Sequence, residues 1–137
     1  MAERGLALMI ERTASRSTFG RPIVDQGVVQ HWIADSRIRI EQARLLALKT
    51  AWLMDTIGNK GARVEISALK VAAPDAATWV LDRAIQAHGA AGLSQDFVLA
   101  EMYSVARTLQ IADGPDEVHR MAIARRETRT ARERVLA

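Results

Sequence analysis

The feature that most constrains the fold is one long segment, from about Val24 to Ile57, with the apolar periodicity of an α-helix. Its apolar side chains form two stripes on roughly opposite sides of that helix. The first stripe contains Val29, Ile33 and Ile40, and the second contains Ile38, Leu45, Leu48 and Trp52. A helix that is apolar on two sides is buried on two sides. One side can pack within the domain, so the other needs a neighbouring domain or a second subunit.

Further helices are predicted on either side of this segment. Strand signals are nearly absent, and alanine, leucine, arginine and glutamate, which favour helices, dominate the sequence. These helices are predicted from the N-terminus to about Ala14 and over about 62–88, 97–110 and 115–132. Gly58 suits a left-handed C-cap, and Pro74 should kink the third helix or remove one backbone hydrogen bond. The whole chain, 1–137, is therefore predicted to be one all-α domain, an antiparallel four-helix-type bundle of about five helices.

Composition excludes several classes of protein. The chain has no cysteine, which rules out disulfides and thiolate metal sites, and its three histidines lack metal-ligand spacing, so no metal is predicted. No apolar run approaches the ~18 residues of a membrane span. The charged N-terminal residues are unlike a secretory signal. The expectation is a cytoplasmic protein with no membrane partner.

Basic residues are concentrated near the C-terminus of a chain whose net charge is +3. The last stretch contains Arg120, Arg125, Arg126, Arg129, Arg132 and Arg134. A solvated helix is the favoured interpretation, because blocks of charge usually lie in solvent. A nucleic-acid surface is disfavoured, since aromatic residues make up only 4% and no nucleic-acid motif is present. Binding of a phosphorylated ligand or cofactor is a third interpretation, intermediate between these two.

Three loops carry residues that match one family. They are "RSTFG" (16–20), "QAHGAAG" (86–92) and "DGPDEV" (113–118). Their order and spacing resemble the C-terminal α-helical domain of the acyl-CoA dehydrogenases, which shows R-x-x-F-G, Q-x-x-G-G-x-G and E-G-T before a helix. "IADS" (33–36) resembles a segment of the family's long helix. The sequence is most similar to one branch of the family, the animal enzymes that also carry an aminoglycoside-phosphotransferase-like kinase domain. In that branch aspartate replaces the usual glutamate of the third motif.

The resemblance implies an α,β-dehydrogenation of an acyl-CoA thioester, with Asp113 as the base that removes the α-proton and FAD as the hydride acceptor. A buried loop position would keep such a carboxylate ionised yet basic. Gly114 would let the thioester approach the backbone. From the turn alone, Asp113 could instead begin the start signal of the last helix, together with Pro115 and the acidic residues that follow.

The other loops would contact FAD, partly across a subunit interface. The residues implied are Arg16, Phe19, Gln26, Gln86, His88, Gly89, Ala90 and Glu117. Arg16 would pair with a phosphate and Phe19 would pack near the adenine. Four departures from the family weaken the expected flavin contacts. Ala90 replaces a glycine, Pro115 a threonine and Glu117 a glutamine, and another family glutamine aligns with Gly27, with Gln26 at the preceding position.

A complete member of this family has an N-terminal helical domain and a middle β-domain, and neither is present in this chain. The resemblance implies four partners: those domains, the acyl-CoA substrate, further copies in a homo-dimer or homo-tetramer, and electron-transfer flavoprotein as acceptor. The isolated chain is expected to be inactive. The alternative is a free-standing helical oligomerisation module without flavin chemistry.

Overall fold

The computed structural model describes residues 1–135, so positions 136 and 137 of the predicted domain lie outside the described residues. The α-helices are α1 (Ala2–Ser15), α2 (Gly27–Gly61), α3 (Arg63–His88), α4 (Leu99–Leu109) and α5 (Asp116–Val135). The predicted all-α bundle is confirmed, and each predicted helix is found with boundaries shifted by a few residues at most. No helix among the described residues combines the length and the apolar character needed to cross a membrane.

The connection between α1 and α2 is more ordered than the predicted loop. It contains two short antiparallel strands, β1 (Ser17–Thr18) and β2 (Arg21–Pro22), followed by a 3₁₀ turn at Ile23–Asp25. Strands of two residues are too short to show an alternating pattern, which explains why the sequence gives no strand signal here. A second 3₁₀ turn, Gly89–Leu93, follows α3.

Helices α2 and α3 lie antiparallel, and two ion pairs between them show which residues lie level with each other. Arg39 contacts Asp75 at 3.4 Å, and Lys49 contacts Glu65 at 3.2 Å. In this register the start of α2 lies level with the end of α3. The strands before α2 and the loop after α3 therefore lie at the same end of the bundle.

The core forms where α1, α3 and α4 meet. Buried apolar residues at its centre are Leu6, Met9, Val80, Leu81, Ala84 and Leu99. Gly5 allows the close approach of α1, because a Cβ at this position would lie 2.9 Å from Leu81 Cδ2. On the surface, Arg37 joins α2 to α1 by donating to both carboxylate oxygens of Glu3, at 2.9 and 3.0 Å. This hydrogen bonding holds the pKa of Glu3 below its usual value.

The two apolar stripes of α2 have different environments. Val29 and Ile40 of the first stripe are buried, and Ile33 packs against the core, as predicted. The four residues of the second stripe are 53–65% exposed, so this chain leaves that side uncovered. Trp32 and Trp79 pack against the core, with the Arg83 guanidinium 5.7 Å from each ring centroid.

One of the two expectations about helix breakers needs correction. Gly58 has a positive φ of 73°, but its ψ of 169° is not that of a left-handed helical C-cap. Pro74 lies buried inside α3, which continues as one helix to His88. Because proline has no backbone N–H, the hydrogen bond to the Lys70 carbonyl is missing, which is one of the two outcomes expected for Pro74.

Candidate active site

In the turn between α4 and α5, two consecutive residues, Asp113 and Gly114, have an unusual backbone conformation. Asp113 has φ 55° and Gly114 has φ 95°. Aspartate is one of the few residues that tolerate a positive φ, because its side chain is short and polar. The carbonyl oxygen of Asp113 lies 3.2 Å from His119 Nε2, a hydrogen bond that requires the proton on that nitrogen.

Contacts from neighbouring residues anchor this turn to α3. The Asp116 N–H donates to the Gln110 carbonyl at 3.1 Å, which closes the turn. The Gln110 side-chain amide donates to Thr78 Oγ1 at 3.2 Å. Lys70 Nζ donates to Asp116 Oδ1 at 3.0 Å, and these two side chains are only 16% and 9% exposed. The turn is therefore held at two points along α3.

The Asp113 carboxylate itself is free. It is exposed, and among residues 1–135 it forms no hydrogen bond or ion pair. A side-chain cap on α5 is therefore not formed by Asp113, and α5 begins at Asp116, one residue later than Pro115. In this chain Asp113 is exposed rather than buried as expected for the base, because Asp116, and not Asp113, turns inward to pair with Lys70 of α3.

The turn between β1 and β2 presents Phe19 to solvent, and Arg16 is exposed just before β1. Phe19 is 100% exposed and has φ 52°, a conformation that is rare for a bulky residue. Arg16 is exposed, and its side chain has no acidic partner within the described part of the chain. Gln26 is half-buried, and its side-chain oxygen accepts a hydrogen bond from Arg21 at 2.8 Å. Sequence reasoning missed Arg21, a second exposed cation, which lies on β2.

The last turn of α3 presents Gln86 at the surface, and the loop after α3 presents Gly89 and Ala90. Gly89 has φ 66° and ψ −146°, and no atom lies within 4 Å of where its Cβ would stand. The glycine is therefore required by backbone conformation and leaves the loop open to a ligand. Gly92 is different, because a Cβ there would lie 2.9 Å from the carbonyl oxygen of Ile85.

His88 does not present its imidazole to a cofactor. The side chain is 3% exposed, and Nδ1 lies 2.8 Å from the Ala84 carbonyl. Phe97 covers the ring in an edge-to-face contact, with centroids 4.7 Å apart. The His88 imidazole therefore supports the packing of the loop. The cofactor contact implied for this residue stays a prediction. The sequence places His88 in the motif but does not show that Phe97 folds over it.

Comparison with known proteins identifies the family to which this helical domain belongs. The acyl-CoA dehydrogenase C-terminal domain family matches residues 1–128. The chain belongs to this family. It is 55% identical over 127 residues to acyl-CoA dehydrogenase family member 11 of Rattus norvegicus, covering 93% of this chain and 16% of that protein. This relative is one of the animal enzymes to which the sequence motifs are most similar.

Solved structures agree with the family. Butyryl-CoA dehydrogenase from Megasphaera elsdenii superposes with a TM-score of 0.82 at 31% identity, over 90% of this chain and 32% of that one. A structure named as the FAD complex of PigA has a TM-score of 0.86 at 26% identity, over 93% of this chain and 33% of that one. The chain thus spans about a third or less of the length of these relatives.

Within the acyl-CoA dehydrogenase domain, the predicted site residues form two groups. Arg16, Phe19 and Gln26 lie at the same end of the bundle as Gln86, Gly89 and Ala90. Asp113, Gly114 and Glu117 lie beside the middle of α3, about 20 Å away along that helix at 1.5 Å per residue. Among the described residues, no three histidine or acidic side chains are grouped closely enough to hold a metal ion.

Proposed function

We propose that this chain supplies the catalytic base of an FAD-dependent acyl-CoA dehydrogenase, and that the base is Asp113. The observation that carries the proposal is an exposed, unpaired carboxylate at φ 55° in a turn that is anchored to α3. A non-glycine residue with positive φ is uncommon and often marks a functional site. The resemblance of "DGPDEV" to the family's E-G-T motif supports the same assignment.

The environment of Asp113 suits proton abstraction. No cation neutralises the carboxylate and no donor among the described residues occupies its oxygens, so both oxygens can accept a proton. Docking of an acyl-CoA against this exposed turn would remove water from the carboxylate and raise its basicity. Gly114 has no side chain to keep the thioester from the backbone.

The residues at the other end of the bundle fit a dinucleotide cofactor. Arg16 is free to pair with a phosphate, and Phe19 offers a fully exposed ring for an adenine. Gly89 and Ala90 offer an open loop with small side chains. When bound, FAD would accept the β-hydrogen of the substrate as hydride. The distance of about 20 Å from Asp113 along α3 supports contacts to a cofactor shared across a subunit interface.

The uncovered stripe of α2 supports such an interface between copies of this chain. The stripe residues are Ile38, Leu45, Leu48 and Trp52. We expect a dimer or tetramer by sedimentation velocity at about 20 μM, within ordinary subunit affinities. Leu48→Glu should produce monomers, whereas Val105→Glu, on α4 and outside the stripe, should not. A wild-type monomer under these conditions would contradict the interface.

The proposed base is tested by Asp113→Asn in the complete enzyme that contains this domain. Asparagine keeps the size and the tolerance of positive φ but cannot accept the α-proton. Reduction of the flavin by acyl-CoA, followed by stopped-flow absorbance, should slow by at least about 100-fold, the low end for loss of a general base. Asp113→Glu should retain part of the activity.

Glu101→Gln, an exposed acidic residue on α4, is the matched control and should leave flavin reduction unchanged. Circular dichroism should show the same helix content for all three variants. Wild-type bleaching of the flavin by Asp113→Asn would show that the base lies elsewhere.

A further inference from the structure

The direction of the Asp113 side chain depends on a backbone conformation that is unfavourable by itself. Its φ of 55° lies in the left-handed region, which is less stable for aspartate than an ordinary helical or extended conformation. Gln110 and Asp116 hold the chain on either side of this residue through their contacts with α3, but neither contact involves Asp113. These anchors fix the ends of the turn, so the direction of the Asp113 side chain is set by contacts of its own backbone.

His119 makes such a contact. Its Nε2 atom lies 3.2 Å from the Asp113 carbonyl oxygen, and no other donor within residues 1–135 bonds to that oxygen. The ring also lies against Gly114, because a Cβ at this glycine would be 3.5 Å from Nε2 and 4.0 Å from Cδ2 of the imidazole. One side chain therefore bonds to the first of the two residues with positive φ and packs against the second.

The imidazole is itself attached to an anchored element. His119 is half-buried in the first turn of α5, three residues after Asp116, so these two residues are neighbours on one face of the helix. Asp116 is buried and accepts a hydrogen bond from Lys70 of α3 at 3.0 Å. A donor on this fixed helix start can resist rotation of the Asp113 peptide, which a water molecule bound to the same carbonyl cannot do.

We propose that His119 is a positioning residue for Asp113, an inference that rests on the proposed role of Asp113 as the base. The Nε2–H group donates to the Asp113 carbonyl, keeps the residue at φ 55° and so holds the carboxylate toward the α-carbon of a bound thioester. Both the neutral ring with its proton on Nε2 and the imidazolium can donate in this way. The imidazole needs no contact with the substrate, because a misplacement of about 1 Å can by itself slow a reaction about 100-fold.

Reduction of the flavin by acyl-CoA in the complete enzyme, followed by stopped-flow absorbance, tests the proposal. His119→Leu removes the donor, and the rate constant at saturating acyl-CoA should fall about tenfold, the effect of losing roughly one hydrogen bond. The acyl-CoA concentration that gives half of the maximal rate should change by less than about twofold, because His119 does not bind the substrate.

His119→Gln and His119→Asn are a matched pair of variants that differ in the reach of the donor. The glutamine amide nitrogen can take the place of Nε2, so this variant should stay within about threefold of the wild-type rate constant. The asparagine amide is one methylene shorter and should leave the Asp113 carbonyl without its partner, so this variant should be as slow as His119→Leu. Equal rate constants for the two amide variants would overturn the proposal. Both variants are polar, so this comparison stays decisive if circular dichroism shows that the leucine variant has lost its fold.

A double variant separates this proposal from the role of Asp113. Asp113→Asn combined with His119→Leu should be no slower than Asp113→Asn alone, because a positioning residue acts only through the base. Losses that multiply in the double variant, or a higher half-saturating concentration of acyl-CoA at an unchanged maximal rate, would overturn the positioning role. Wild-type bleaching of the flavin by Asp113→Asn would instead refute the proposed base. A slow Asp113→Asn beside a fast His119→Leu would refute the positioning role alone.

Discussion

The two ends of α5 differ in whether their charged side chains have a partner within the domain. At the N-terminal end, Asp116 is buried and paired with Lys70, and the pair helps to hold the turn that carries Asp113. In the second half, Arg125 and Arg126 have no acidic partner among the described residues and face an open groove between α5 and the start of α3. The other cations that line this groove are Lys60, Arg63 and Arg129. Charge that is satisfied within the domain fixes a structure, whereas charge that is left unsatisfied stays in contact with water.

Burial explains the difference. Removing Asp116 and Lys70 from water is costly, so that pair is stable only when both partners are present. Exposed arginines keep much of their hydration and cost little when unpaired. The same helix can therefore anchor a catalytic turn at one end and keep a cationic groove at the other.

The largest effect is expected at the anchored end. Lys70→Met should lower the free energy of unfolding by about 3 kcal/mol, because it leaves Asp116 buried without its main partner. Arg120 lies 3.9 Å from the other Asp116 oxygen and can offset only part of this loss, since it is exposed. Urea denaturation followed by circular dichroism measures the change.

A double variant separates loss of the pair from loss of packing. Lys70→Met combined with Asp116→Leu removes both charges and should recover most of the lost stability, as replacement of buried pairs by apolar residues often does. If the single variant is as stable as wild type, the pair is not an anchor. If the double variant is less stable than the single one, packing rather than charge dominates at this contact.

An intermediate effect is expected in the turn itself. Gly114→Ala should lower the free energy of unfolding by about 1–2 kcal/mol, because alanine is strained at φ 95°. The added Cβ would meet His119 Nε2 at 3.5 Å, an ordinary contact, so the cost lies in the backbone. Thermal denaturation measures this loss of stability.

Gly27→Ala is the control, since it lies at the start of α2 with nothing within 4 Å of its Cβ position and no positive φ. Alanine there should be neutral or slightly stabilising. Equal losses for the two variants would show that the turn carries no special conformational requirement.

The helices were predictable because their apolar periodicity records which faces are buried. The second stripe of α2 was also predictable: the sequence indicated an apolar side that the domain itself does not cover, and Leu45 and Trp52 are indeed exposed. The motif loops pointed to Asp113 and Phe19, and these are the two non-glycine residues with positive φ among those described. Local sequence thus indicated the places where the backbone is unusual.

Contacts between distant segments were not predictable from one sequence. Lys70 stands among apolar residues of α3, a pattern that suggests an internal partner, but nothing in the chain names Asp116. Phe97 covers His88, whereas Asp113 is left exposed. Both outcomes depend on the position of α4 relative to the other helices. Local periodicity does not encode such long-range packing.

The smallest effect is expected in the groove, because its arginines are exposed. Arg126→Gln should change the free energy of unfolding by no more than about 0.5 kcal/mol, as for most surface substitutions. At low salt the change should be a slight gain, because one of several like charges is removed, and added salt should abolish it by screening. Thermal denaturation of Arg126→Gln and Arg134→Gln at about 20 mM and 500 mM salt tests this. The gain should be larger for Arg126, which faces the other groove cations, than for Arg134, which does not line the groove. A loss of stability for Arg126→Gln would mean that this arginine is an anchor like Lys70, and the contrast between the two ends of α5 would fail.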